Sequence, residues 1–219
     1  MTTQSDISTQ TQITKPRWLL LSFILVLTVL FKVMPYALYR LMNIDIEQEF
    51  GIYPWGFSPM FAVCLFGGAI YRSRVTSLWI PMAVWLAGDF LILVIAGDFR
   101  TAFYPNQPVV YVSFLVCAAM GFVLRSNRSV GRIAGAGLTS CLLFFLLTNF
   151  GSWLSLSVYE PTFAGLMNCY AAGLPFLRNS LISTAIFSCV LFSPICMREV
   201  NAELTAVESE SELASASAV

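Results

Sequence analysis

Six apolar stretches occupy most of this chain, at about 18–39, 57–71, 76–96, 108–124, 133–154 and 179–197. A helix needs about 20 apolar residues to cross roughly 30 Å of hydrocarbon. The second and fourth stretches fall short of that, and the others reach it. Lipid offers no hydrogen bonds, so a spanning segment must satisfy its backbone internally, as a helix does. The predicted fold is therefore all-α: a polytopic membrane bundle of six transmembrane helices, with the lipid bilayer as its first partner. Composition agrees, because only 11% of residues are charged against about 25% in a soluble domain. The 18 Phe, 5 Trp and 8 Tyr suit aromatic belts at the two interfaces.

The basic residues give an orientation. With the N-terminus inside, the inner segments carry eight: Lys15, Arg17, Arg72, Arg74, Arg125, Arg128, Arg132 and Arg198. The outer segments carry four: Lys32, Arg40, Arg100 and Arg178. That asymmetry follows the positive-inside rule and places both termini in the cytoplasm, with the bundle in a bacterial inner membrane. The acids Asp45, Glu47, Glu49, Asp98 and Glu160 then face outward. Residues 1–14 are rich in Thr, Gln and Ser and read as a disordered cytoplasmic tail. The bundle is expected over 15–198, and the acidic, Ser/Ala-rich 199–219 reads as a second disordered tail. No small-residue cleavage site follows the first apolar run, where Lys32-Val33-Met34-Pro35 stands instead, so the run reads as a span and not a signal peptide. The stretch 159–178 is broken by Gly, Pro and Asn168. It suggests a half-helix or re-entrant segment before the last span.

Several chemistries lack their residues. The chain has no His, which removes the commonest metal ligand and general base. It has no P-loop, no H-E-x-x-H and no G-x-S-x-G. Six Cys occur without a C-x-x-C pair and mostly in apolar runs, so they read as packing. No basic patch suits nucleic acid. The expectation is a protein that is not an enzyme, with no catalytic residue, metal or cofactor.

Asp89 is the sharpest single signal. A carboxylate at a helix centre costs about 2.5–3.5 kcal/mol on insertion scales, so it is expected to face the bundle interior and find a partner. It would bind a substrate or ion, carry a proton, or tie two helices together. Asn149 and Trp153, in Thr148-Asn149-Phe150-Gly151-Ser152-Trp153, offer an amide and a stacking face, or else helix packing and an interfacial indole. Arg178, on the side the charge rule disfavours, would clamp an anion, pair with Asp89, or snorkel to the interface. Asn179 opens the last span beside it, and Tyr170 adds a polar contact. Together these six form the candidate substrate-binding set, with Asn149, Trp153, Tyr170 and Arg178 toward the outer face. Gly131-x-x-x-Gly135 and Gly67-Gly68 are candidate close-packing faces.

Four segments also carry a resemblance: FSPMFAVCLFGGAIY (57–71), the span around Ala87-Gly88-Asp89, TNFGSWL (148–154) and TFAGLMNCYAAGLPFLRNSL (162–181). The chain resembles, over about 25–197, a widespread bacterial family of small integral-membrane proteins of unknown function. That family is distantly similar to the substrate-binding S components of energy-coupling-factor vitamin transporters. The similarity implies an S-component-like six-helix fold that binds a small water-soluble nutrient near the outer face. It also implies a coupling subunit and ATPases supplied in trans. The first span here lacks the Ala-x-x-x-Ala with which S components often dock that subunit, which leaves the docking partner open. Two rival expectations remain: a structural or assembly protein without a small ligand, and a stand-alone proton-coupled carrier.

Overall fold

Residues 60–70 are apolar without interruption, and they form the shortest of the apolar helices, at the centre of the molecule. The computed structural model describes the backbone of residues 4–44, 54–71, 73–194 and 196–197, with side chains from Leu21 onward. Arg72, Arg198, the acids Asp45, Glu47 and Glu49, the tail 199–219 and the side chains of Lys15 and Arg17 lie outside the described residues. The elements are α1 (Gln4–Met42), α2 (Met60–Ile70), α3 (Arg74–Ala96), α4 (Phe99–Ala102), α5 (Gln107–Met120), α6 (Val130–Ser155) and α7 (Phe163–Leu191). A 3₁₀ turn, Gly121–Leu124, extends α5. No strand occurs among the described residues. The bounds of α1 place its first turns inside the polar stretch 1–14.

Among the described residues, five helical stretches are long and apolar enough to cross a membrane: Leu21–Met42, Arg74–Ala96, Phe99–Leu124, Val130–Ser155 and Phe163–Leu191. The expected second span is the exception. Helix α2 has 11 residues, roughly 16 Å at about 1.5 Å per residue, half of what a crossing needs. Met60 through Ala69 are all buried. The run is apolar because protein surrounds it, with α3, α5, the 3₁₀ turn, α6 and α7 packed against it.

Close backbone approach holds α2 in place. A Cβ on Gly68 would collide with Ala118 O and lie 2.8 Å from Gly121 Cα, and a Cβ on Gly121 would stand 2.5 Å from Leu65 O. The expected packing role of Gly67-Gly68 thus falls on Gly68. The Gly131-x-x-x-Gly135 pair differs from expectation: nothing lies within 4 Å of either added Cβ. Two arginines close the C-terminal end of α2. Arg125 donates from Nε to Gly68 O and from Nη2 to Tyr71 O, both at 2.8 Å, and Arg128 donates from Nη2 to Ala69 O at 3.3 Å. The last carbonyls of a helix lack intrahelical partners and carry partial negative charge, so cations there serve both needs.

The stretch 159–178 does not re-enter. From Phe163 it belongs to α7, a continuous helix of 29 residues, roughly 43 Å long. Thr162 caps its start by accepting from Gly165 N at 3.1 Å. Two of the glycines that look like breakers lie eight positions apart, with Cys169 midway between them. Gly165, Cys169 and Gly173 are buried on one side of α7, the spacing of a close helix seam. The irregular backbone sits elsewhere, in Pro54–Pro59 leading into α2. A turn closes there from Phe57 N to Pro54 O at 2.8 Å, with Gly56 at φ +83°. A Cβ at Gly56 would lie 2.8 Å from Phe176 O, near the middle of α7. This backbone is satisfied by α7 side chains: Asn179 Nδ2 donates to Trp55 O at 3.0 Å and Ser180 Oγ to Gly56 O at 3.1 Å.

Candidate functional site

Lys32 in α1 and Asp89 in α3 are charged residues withdrawn from the surface inside apolar helices, and they meet. Lys32 Nζ lies 2.5 Å from Asp89 Oδ1, with side chains 11% and 2% exposed. The ammonium also donates to Trp85 O at 2.9 Å and sits 3.7 Å from the centroid of the Trp85 ring. The other carboxylate oxygen, Asp89 Oδ2, accepts from Tyr111 OH at 2.6 Å, and Gln107 Nε2 stands 3.4 Å behind that hydroxyl. An ion pair taken out of water holds only with good geometry and further hydrogen bonds, and this one has both. Glycine makes room for it: a Cβ on Gly88 would lie 2.8 Å from Lys32 Cδ. Trp85 is fixed from behind by Phe114, centroids 4.6 Å apart. Its indole nitrogen is buried without a hydrogen-bond partner, as is Gln107 Oε1.

A cavity of about 220 Å³ adjoins the pair. Its walls come from α1, the Pro54–Ser58 segment, α3 and the α4 region, and include Phe31, Tyr36, Trp55, Phe57, Trp85 and Tyr104. It lies at the end of the bundle opposite the Arg125 and Arg128 caps. Asp98 holds the α4 wall in place, accepting from Thr101 N at 2.8 Å and Thr101 Oγ1 at 2.7 Å. Hydrogen bonding from the Thr101 hydroxyl and amide holds the Asp98 carboxyl below its usual range. A larger groove of about 450 Å³ runs between α6 and α7 at the opposite end, and its lining is mostly apolar.

The structure divides the sequence candidates into two places. Asp89 is in the cavity, and Asn179 supports it by holding the Trp55 carbonyl. Asn149, Trp153 and Tyr170 lie on the α6–α7 side and bond to nearby backbone: Asn149 Nδ2 to Phe145 O at 2.8 Å, Trp153 Nε1 to Glu160 O at 2.9 Å, and Tyr170 OH to Leu146 O at 3.1 Å. Arg178 is exposed on α7. The ion-pair partner of Asp89 is Lys32 and not Arg178. Lys32, Trp85 and Tyr111 were not among the candidates. The available signal was a lone Lys in an apolar run, which must find an acid.

The helices and this buried pair define a polytopic membrane-helix bundle with an internal, ion-paired cavity. The chain belongs to a family of unknown function, DUF6580, whose family model matches residues 12–205. No curated protein and no solved structure matches it.

Proposed function

We propose that this protein is a membrane subunit that binds a small water-soluble, vitamin-like nutrient for transport, without an ATPase of its own and without catalysis. The observation that carries the reading is the cavity beside Lys32 and Asp89. Membrane proteins rarely keep an ion pair among apolar helices unless it lines a pathway or a site. Here the pair borders a space walled by aromatic rings, the common make-up of small-molecule sites. The excess of basic residues favours a cytoplasmic Arg125 and Arg128 end, and that orientation would put the cavity on the outer side of a bacterial inner membrane. Supply of energy by a coupling subunit and ATPases in trans follows from the resemblance to S components. Asp89, Lys32 and Trp85 form the site, and Asn179 positions its Trp55 wall. Tyr170 ties α7 to α6, Trp153 ties α6 to the loop before α7, Asn149 bonds within α6, and Arg178 is exposed on α7.

One observation favours a structural reading. Lys32 and Asp89 join α1 to α3, and Gly88 is shaped around the lysine stem. Native mass spectrometry of protein extracted gently from its own membranes separates the two. A co-purifying small molecule that is lost in Trp85→Ala supports binding, and associated ATPases add the transport mechanism. An apo protein unmoved by a nutrient panel in a thermal-shift assay sinks the binding reading and leaves the helix tie. Uptake that collapses with the proton gradient while ATP is maintained would point to a stand-alone carrier.

A further inference from the structure

We infer that the ligand of this cavity is an uncharged, planar molecule of about one ring. The inference rests on the binding reading above and deepens it by naming the ligand's chemistry. The charges at the site are already spent on each other. Asp89 uses one oxygen on Lys32 and the other on Tyr111. The Lys32 ammonium faces Asp89, the Trp85 carbonyl and the Trp85 ring, which occupies its three N–H groups. A carboxylate entering the cavity would find no free cation in this pair, and an ammonium would find no free anion. Either would lose its water shell without recompense, the costly case for a buried charge.

The walls select shape. Six aromatic side chains line the space: Phe31, Tyr36, Trp55, Phe57, Trp85 and Tyr104. Phe57 is packed edge-on between Phe31 and Phe187, with centroids 5.5 and 6.0 Å away, so that wall is fixed before anything binds. Rings favour offset or edge-on contact with another ring. A volume of about 220 Å³ corresponds to roughly seven water-sized groups at about 30 Å³ each, room for one substituted ring.

Three near-isosteric probes separate charge from shape: benzamide, benzoate and benzylammonium. Binding is read on the full-length protein in nanodiscs, by tryptophan fluorescence and by thermal shift at millimolar probe. Benzamide is expected to bind saturably, with each charged probe at least tenfold weaker. Removing one partner should free the other. Asp89→Asn then gains benzoate binding of tenfold or more, and Lys32→Met gains benzylammonium binding to the same degree. If those variants fail to fold, the wild-type comparison still decides. A charged probe that binds wild type as well as benzamide overturns the inference, as does a charged or non-planar molecule released from the native protein. If no probe binds and nothing co-purifies, the binding reading itself fails, a different result from a wrong ligand charge.

Discussion

At the scale of single residues, the weight falls on Lys32 and Asp89. Neutralising one leaves the other charged and nearly buried. Lys32→Met and Asp89→Asn are each expected to destabilise by about 3–5 kcal/mol. The double variant should cost distinctly less than the sum, because it leaves no orphan charge. Thermal unfolding of the four proteins in one detergent gives the coupling; additive losses would mean that the pair contributes nothing as a pair. Asp89 was legible in the sequence because a carboxylate in a span demands an explanation. Its partner was misassigned. Lys32 read as a charge near the outer end of the first span and was counted with the outer basic residues, but α1 continues to Met42 and sets Lys32 against Asp89. Asp98 gives a separate test. The hydrogen bonds from Thr101 favour the ionised carboxyl, so its folded value lies below the ordinary 3.8. A group depressed in this way stabilises the α4 turn above pH 3.8 and ceases to do so as pH falls through the folded value. Carboxyl-carbon NMR should place the Asp98 midpoint below 3.8, and Thr101→Val should move it up toward 3.8. An unchanged midpoint in the variant would remove Thr101 as the cause.

At the scale of elements, α2 determines the architecture. Hydropathy cannot distinguish a helix surrounded by protein from one surrounded by lipid, since both read as apolar runs. Length was the usable clue, and 57–71 was already short. The half-length of α2 leaves its C-terminal carbonyls inside the bundle, where Arg125 and Arg128 meet them. Counting those arginines as inner-loop charges gave no sign of this contact. Removing the guanidinium leaves the Gly68 and Tyr71 carbonyls without their charged donor, and each hydrogen bond to a charged group contributes about 1.5–3 kcal/mol. Arg125→Gln is therefore expected to destabilise by at least about 2 kcal/mol, and Arg125→Lys to recover only part, because one ammonium cannot reproduce the guanidinium fork. A thermal midpoint in Arg125→Gln equal to wild type would mean that α2 is held by packing alone. The last helix shows the converse problem. Gly165, Gly173 and Pro175 read locally as breakers, yet a backbone in lipid cannot leave its hydrogen bonds unmade. Gly173 packs against Phe145 and Asn149 of α6, Gly165 against the Glu160 backbone of the preceding loop, and the helix runs on through Pro175.

At the scale of the whole molecule, orientation decides what the cavity can do. The bundle has two chemically distinct ends. One carries Arg74, Arg125, Arg128 and Arg132. The other carries the cavity, the Asp98–Ala102 turn and the loop before α7. If the basic end faces the cytoplasm, the cavity meets incoming solutes. If it does not, uptake from outside is the wrong reading, however well the site binds. Five of the native cysteines are buried, and the sixth, Cys189, lies on the surface of α7 within a candidate span. The background for a membrane-impermeant maleimide is therefore low. Arg100 and Asn127 are exposed at opposite ends, and neither lines the cavity. In intact spheroplasts Arg100→Cys should label and Asn127→Cys should not; after lysis both should. The reverse pattern would invert the bundle, open the cavity to the cytoplasm and shift the function from capture of an external nutrient to export or to sensing of an internal solute. Labelling of both before lysis would indicate two orientations, which an eight-to-four bias of Lys and Arg argues against.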